Sequence, residues 1–109
     1  MSTRQVTDDD YTTAVGSEAT SFLYVWAPWC GPCRMVTPHF RAVASAHADR
    51  AAFFDADLES FTRTAEALNV KATPTIVALR DGREVSRRTG AIMRDSLATW
   101  VEDLLPDPG

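Results

Sequence analysis

Apolar positions along the chain recur in two alternating rhythms. Phe22-Leu23-Tyr24-Val25-Trp26 is an unbroken aromatic and branched run, which reads as a buried strand over 20–26. Val36, Phe40, Val43 and Ala44 then fall on one face of a helix from about 31 to 48, and Pro38 inside it is expected to kink it. A strand over 51–57 follows. Leu58, Phe61, Ala65 and Leu68 carry helical spacing over 57–69, with Asn69 as a left-handed cap. The apolar strand 76–79 meets Asp81-Gly82, a strong hairpin signal, before a strand over 84–88 that Gly90 ends. The last helix spans about 94–105, with Ile92, Leu97, Trp100, Val101, Leu104 and Leu105 on its apolar side. At the front, Gln5-Val6 reads as a short edge strand. The three aspartates Asp8, Asp9 and Asp10 suit the first turn of a helix over 8–15, stopped at Gly16. Residues 106–109 read as a frayed tail.

The element order is therefore β-α-β-α-β-α-β-β-α. Strands separated by helices predict parallel pairs, and the Asp81-Gly82 turn predicts an antiparallel pair at one edge. The fold class is α/β: a central mixed sheet with an antiparallel edge hairpin and helices on both faces. No repeat or linker interrupts 1–109, and 109 residues suit one domain with a modest core.

Composition narrows the setting. Hydrophobic residues at 45% and charged residues at 24% are ordinary for a globular chain, and a net charge of −4 argues weakly against nucleic acid as a partner. No apolar run approaches a membrane span. The first ten residues hold no signal-like apolar segment, and Met1 argues against a removed one, so a reducing, cytoplasmic setting is expected. In such a setting two cysteines spaced Cys-x-x-Cys are redox-active or metal-binding sooner than a structural staple.

Both cysteines sit where the first strong strand ends and the longest helix begins. Unpartnered N–H groups and the helix dipole favour a thiolate at Cys30, and a thiolate near neutral pH can attack a disulfide. Cys33, one turn further in, can attack the resulting mixed disulfide. Gly31 permits the tight entry into the helix, and Pro32 has no N–H to lose in a first turn. Trp29-Cys30-Gly31-Pro32-Cys33 after a hydrophobic strand resembles the active site of the thioredoxin family, and the resemblance extends over nearly the whole chain.

That resemblance implies the thioredoxin fold and a protein-disulfide reductase. Cys30 would be the nucleophile and Cys33 the resolving thiol. The substrates would be disulfide-containing proteins, the electron source a thioredoxin reductase or another thiol donor, and the protein a monomer without cofactor or metal. Thr73-Pro74-Thr75 resembles the family's loop whose proline is cis and faces the cysteines, where the backbone of Thr73 would pair with an extended substrate. Trp29, Gly31, Pro32, Thr73, Pro74, Gly90 and Ala91 match the family's substrate-contact surface. An ordinary trans turn proline, and a core position for Trp29, are the bland alternatives; Trp26 is expected in the core. Disulfide oxidation or isomerisation in an oxidising compartment is the competing enzymatic reading, and a non-catalytic binding module a more distant one.

The chain departs from the family at two places. Tyr24 stands where a buried aspartate is usual, and Phe53 where a lysine is usual. Replacing a buried ion pair by apolar groups is structurally easy. It leaves no evident carboxylate to take the proton of Cys33. Water or the leaving thiolate is expected to take it, with Tyr24 making at most a hydrogen bond. Strand alternation alone does not place Asp55 or Asp57 near the site. His39 and His47, eight apart, lie outside usual zinc spacing. Arg80, Arg83, Arg87 and Arg88 read as a solvated edge that discourages strand pairing, with a partner-docking surface as the minor alternative.

Overall fold

A computed structural model describes residues 2–106. The elements are β1 (Thr3–Gln5), α1 (Tyr11–Gly16), β2 (Thr20–Trp26), α2 (Gly31–His47), β3 (Ala52–Asp57), α3 (Thr62–Ala67), β4 (Thr75–Arg80), β5 (Arg83–Thr89) and α4 (Arg94–Leu104), with a 3-10 turn at Leu58–Ser60. The expected tail extends beyond the described residues at 107–109. The sheet runs β1-β3-β2-β4-β5. β1 and β2 flank β3 in parallel, whereas β4 is antiparallel to both β2 and β5.

Parallel pairing between helix-separated strands therefore fails at β4. The reason is length. Six residues of α3 rise about 9 Å, against about 20 Å for a six-residue strand, so the helix cannot carry the chain back along β3. The chain instead enters β4 at the end where β3 leaves. Thr75 pairs with Val25, one residue before Trp26, which pairs with Asp57. This reversal brings the 70–74 loop to the end of the sheet that carries the cysteines.

Both sheet faces are covered, which is why β2 is apolar on both sides. Phe22, Tyr24, Phe53, Ile76 and Ala78 pack against Val36 and Phe40 of α2 and Leu97, Trp100 and Val101 of α4. Phe53, in the lysine position, stacks on Phe22 at 5.2 Å and meets Phe40 edge-on at 5.8 Å. Leu23, Val25, Phe54, Ala56, Val77 and Leu79 pack against Tyr11 and Val15 of α1 and Ala65 of α3, with Phe61.

Several expected boundaries move. β1 begins at Thr3 and ends before Val6, which is core. α1 begins at Tyr11, not at Asp8. The Asp8 carboxylate serves another helix: it accepts from the N–H of Arg63 (3.2 Å) and from the N–H (2.8 Å) and hydroxyl (2.7 Å) of Thr64. The expected helix over 57–69 breaks at Phe61, whose φ of −139° is not helical. Asp57 accepts from the Glu59 N–H at 3.0 Å and caps the 3-10 turn. Asn69 (φ 58°), Asp81 (φ 51°) and Gly82 (φ 80°) adopt the left-handed conformations that their turns require. Pro38 lies inside α2, which runs on past it to His47.

The arginine edge makes contacts beyond its strand. Arg80 donates to the Leu104 carbonyl at 2.9 Å, Arg88 lies over the Trp100 ring at 5.5 Å, and Arg87 holds an ion pair with Glu84. Arg80, Arg83 and Arg88 nevertheless remain exposed, as a solvated edge requires, and only Arg87 is half-buried.

Candidate active site

β2 ends at Trp26 and α2 starts at Gly31, so Trp26 to Cys30 make the descent into the helix. Cys30 is the N-cap, in extended conformation (φ −91°, ψ 108°), and its Sγ accepts the Cys33 N–H at 3.2 Å. A sulfur therefore occupies the place where a capping oxygen usually satisfies the helix's free donors. Pro32 falls in the first turn, where its missing N–H costs no hydrogen bond. Cys30 and Cys33 are joined as a disulfide with Cα atoms 5.4 Å apart, and both are buried. Around them Gly31 and Pro32 are exposed, and Trp29 is 67% exposed. Trp26, expected in the core, is only half-buried and packs against the cysteine pair.

The 70–74 loop brings the second group of residues to this end of the sheet. The Thr73–Pro74 peptide is cis. Pro74 is buried and Thr73 half-buried. Gly90, at φ 94°, donates its N–H to the Pro74 carbonyl at 2.8 Å, and the Thr75 hydroxyl donates to the Ala72 carbonyl at 2.6 Å. Thr73 itself has no backbone hydrogen-bond partner among the described residues. Ala91, beside Gly90, is exposed. Met35 and Met93, two residues after Cys33 and three after Gly90, are large apolar side chains left 49% and 60% exposed, and the sequence pattern did not single them out.

Behind the cysteines lies Tyr24. Its Oη is 3.1 Å from the Cys33 carbonyl and 2.8 Å from Thr37 Oγ1, which is itself 2.8 Å from that carbonyl. Two hydroxyl protons serve this triangle, so the backbone of Cys33 is held and its thiol is not addressed. Burial pushes the Tyr24 phenol above its ordinary value. Asp55 pairs with Tyr24 in the sheet register and accepts from Trp26 Nε1 at 3.1 Å. Tyr24, Trp26, Thr37, Arg41 and Asp55 bound a cavity of about 110 Å³ whose lining does not include Cys33. Asp57 faces its own turn. Among the described residues no carboxylate bonds either cysteine.

No group of three His, Cys, Asp or Glu side chains among the described residues could hold a metal ion. His47 instead lies 3.5 Å from Glu102 of α4. No described helix is long and apolar enough to cross a membrane.

Comparison with known proteins agrees with this geometry. Residues 2–103 match the family model described as Thioredoxin. The thioredoxin of Mycolicibacterium smegmatis is 36% identical over 103 residues, covering 92% of each chain. Thioredoxin C-3 of Corynebacterium nephridii is 36% identical over 89 residues, covering 82% of this chain and 61% of that protein. The crystal structure of Malassezia sympodialis thioredoxin superposes with a TM-score of 0.85 over 93% of this chain and 89% of that one; at 23% identity it speaks to the fold alone. With a Cys-Gly-Pro-Cys disulfide at the N-terminus of α2 and a matching family model over residues 2–103, this chain belongs to the thioredoxin family of protein-disulfide reductases.

Proposed function

We propose that the chain is a single-domain, monomeric, cytoplasmic thioredoxin working in the reducing direction, with Cys30 as nucleophile and Cys33 as resolving thiol. The observation that carries this reading is the position of Cys30 Sγ as acceptor at the helix cap. The same Cys33 N–H that satisfies it in the disulfide favours a thiolate there after reduction, together with the helix dipole.

The Cys30 thiolate attacks one sulfur of a target disulfide. The target S–S bond breaks, a mixed disulfide forms, and one target sulfur leaves as a thiolate that takes up a proton. Cys33 then loses its proton and attacks Cys30 Sγ. The second target thiolate leaves, and the chain is left in the oxidised form seen here. Among the described residues no carboxylate addresses the Cys33 thiol, so water or the departing thiolate accepts its proton. A thioredoxin reductase or another thiol donor returns two electrons, completing an electron-transport role. Trp29, Gly31, Pro32, Gly90 and Ala91 form the surface on which the target lies, and the unpartnered backbone of Thr73, next to Pro74, pairs with an extended target segment.

Two measurements test this. With insulin as target, Cys33→Ser accumulates a mixed disulfide and Cys30→Ser does not; the reverse pattern overturns the assignment of roles. The reduction potential of the pair should fall near about −270 mV, the general thioredoxin figure and not one obtained for this chain. A value near about −180 mV would move the function to oxidation or isomerisation and remove the ground for a reducing compartment.

A further inference from the structure

On a regular strand, residues three apart point to opposite faces. Glu84 and Arg87 do not. In β5, Ser86 pairs with Ala78 and Glu84 with Leu79, which leaves Val85 without a partner. This one-residue bulge shifts the alternation and puts Glu84 and Arg87 on the same side. There the guanidinium meets the carboxylate through two bonds of 2.6 Å, Nε to one oxygen and Nη2 to the other. The two side chains are 28% and 32% exposed.

The remaining donors of Arg87 leave the strand. Nη2 also donates to the Leu68 carbonyl at 2.6 Å, and Nη1 to the Asn69 carbonyl at 3.2 Å. These groups lie where α3 ends and the chain turns, at Asn69, into the 70–74 loop. The far end of that loop is held by the Gly90 N–H on the Pro74 carbonyl. Thus β5 and the residue just after it hold the loop at both ends, and Thr73 between them keeps its backbone unpartnered. A bulge alone would blunt an edge strand, but a forked ion pair aimed at the Leu68 and Asn69 carbonyls is more than an edge needs.

We propose that Arg87, oriented by Glu84, is a positioning residue for extended polypeptide substrates: it fixes the 70–74 loop so that Thr73 offers its backbone to the segment flanking the target disulfide. This rests on the reading of Thr73 given above. It separates two substrate classes. A protein disulfide has backbone to pair with Thr73; a small disulfide such as hydroxyethyl disulfide has none.

The test compares both substrates, with dithiothreitol as electron source. Arg87→Met keeps the aliphatic stem and removes every donor. Arg87→Lys keeps the charge and loses the fork. Thr73→Pro removes the N–H in question. The expected result for Arg87→Met is an insulin KM about five- to tenfold higher, with kcat, the rate on hydroxyethyl disulfide and the reduction potential within twofold of the parent or unmoved. Arg87→Lys should lie between the two. Equal losses on both substrates would show a merely structural role and overturn the proposal. So would an unchanged insulin KM in Arg87→Met while Thr73→Pro raises it. If Thr73→Pro leaves the insulin KM unchanged, the pairing role of Thr73 itself fails and takes the proposal with it. Should Arg87→Met fold poorly, Arg87→Lys and Glu84→Gln carry the same comparison.

Discussion

Tyr24 directs its hydroxyl at the backbone of Cys33, and that choice separates structure from chemistry at a single position. The ring is 1% exposed and packs on Phe40 at 5.1 Å, so it fills the core beneath the active site. Tyr24→Asp should speed resolution of a mixed disulfide near neutral pH by placing a proton acceptor near the Cys33 thiol, at a stability cost of about 3 kcal/mol from the lost aromatic volume. Stopped-flow measurement of target release reads the first effect and urea unfolding the second; resolution that is unchanged or slower would refute the idea that this chain lacks an acceptor. Tyr11 makes the complementary case. Its hydroxyl is buried without a partner among the described residues, and burial raises its pKa to about 12. The unfolded phenol ionises first, near 10, so the folded state loses stability as pH climbs from about 10 towards 12. Tyr11→Phe keeps the edge-on contact with Phe61, removes that orphan, and should be neutral or stabilising by up to about 1 kcal/mol in urea unfolding. It should also flatten part of the alkaline decline.

At the scale of elements, what was legible in the sequence was local. The β2 run, the Cys30–Cys33 motif and the start of α2 are consecutive residues whose pattern, caps and chemistry agree, and the Asp81-Gly82 turn is equally self-contained. What was not legible depended on partners far along the chain. Three consecutive aspartates read as the first turn of the next helix, but Asp8 caps α3, more than fifty residues on. Phe61 has helical spacing yet turns out of the helix because its ring belongs to the core with Tyr11. Arg87 reads as an edge charge because a bulge cannot be seen in alternation that it itself disturbs. Asp8→Ala isolates this kind of long-range cap. It should accelerate hydrogen exchange at the Arg63 and Thr64 amides several-fold and leave α2 untouched; equal acceleration in both helices would show that Asp8 acts through global stability.

Across the whole molecule, these clasps converge on α3. Six residues are too few for a helix to persist in water unaided, and this one is held at its start by Asp8 and just beyond its end by Arg87 with Glu84. Both carboxylates titrate below their ordinary values: Asp8 chiefly because the Thr64 hydroxyl bonds it, Glu84 chiefly because Arg87 does. Groups depressed in this way add stability above their unfolded values, near about 4, and lose it as pH falls through the folded-state values. The opposite sheet face depends on aromatic and aliphatic packing among Phe22, Phe40, Phe53 and Trp100, which protonation does not touch directly. Acidification should therefore loosen the molecule asymmetrically. Hydrogen exchange followed by mass spectrometry from about pH 5 downward should show α3 and the Asn69 and Val70 amides that lead into the 70–74 loop losing protection first, after correction for the intrinsic exchange rate. β2 and α2 should remain protected until global unfolding. Simultaneous loss on both faces would mean that the carboxylate clasps add nothing local. Loss confined to α3 and the turn that leads into the 70–74 loop would mean that the loop carrying Thr73 is held by ionised groups while the cysteines are held by packing, so target binding and thiol chemistry rest on separately adjustable parts of one sheet.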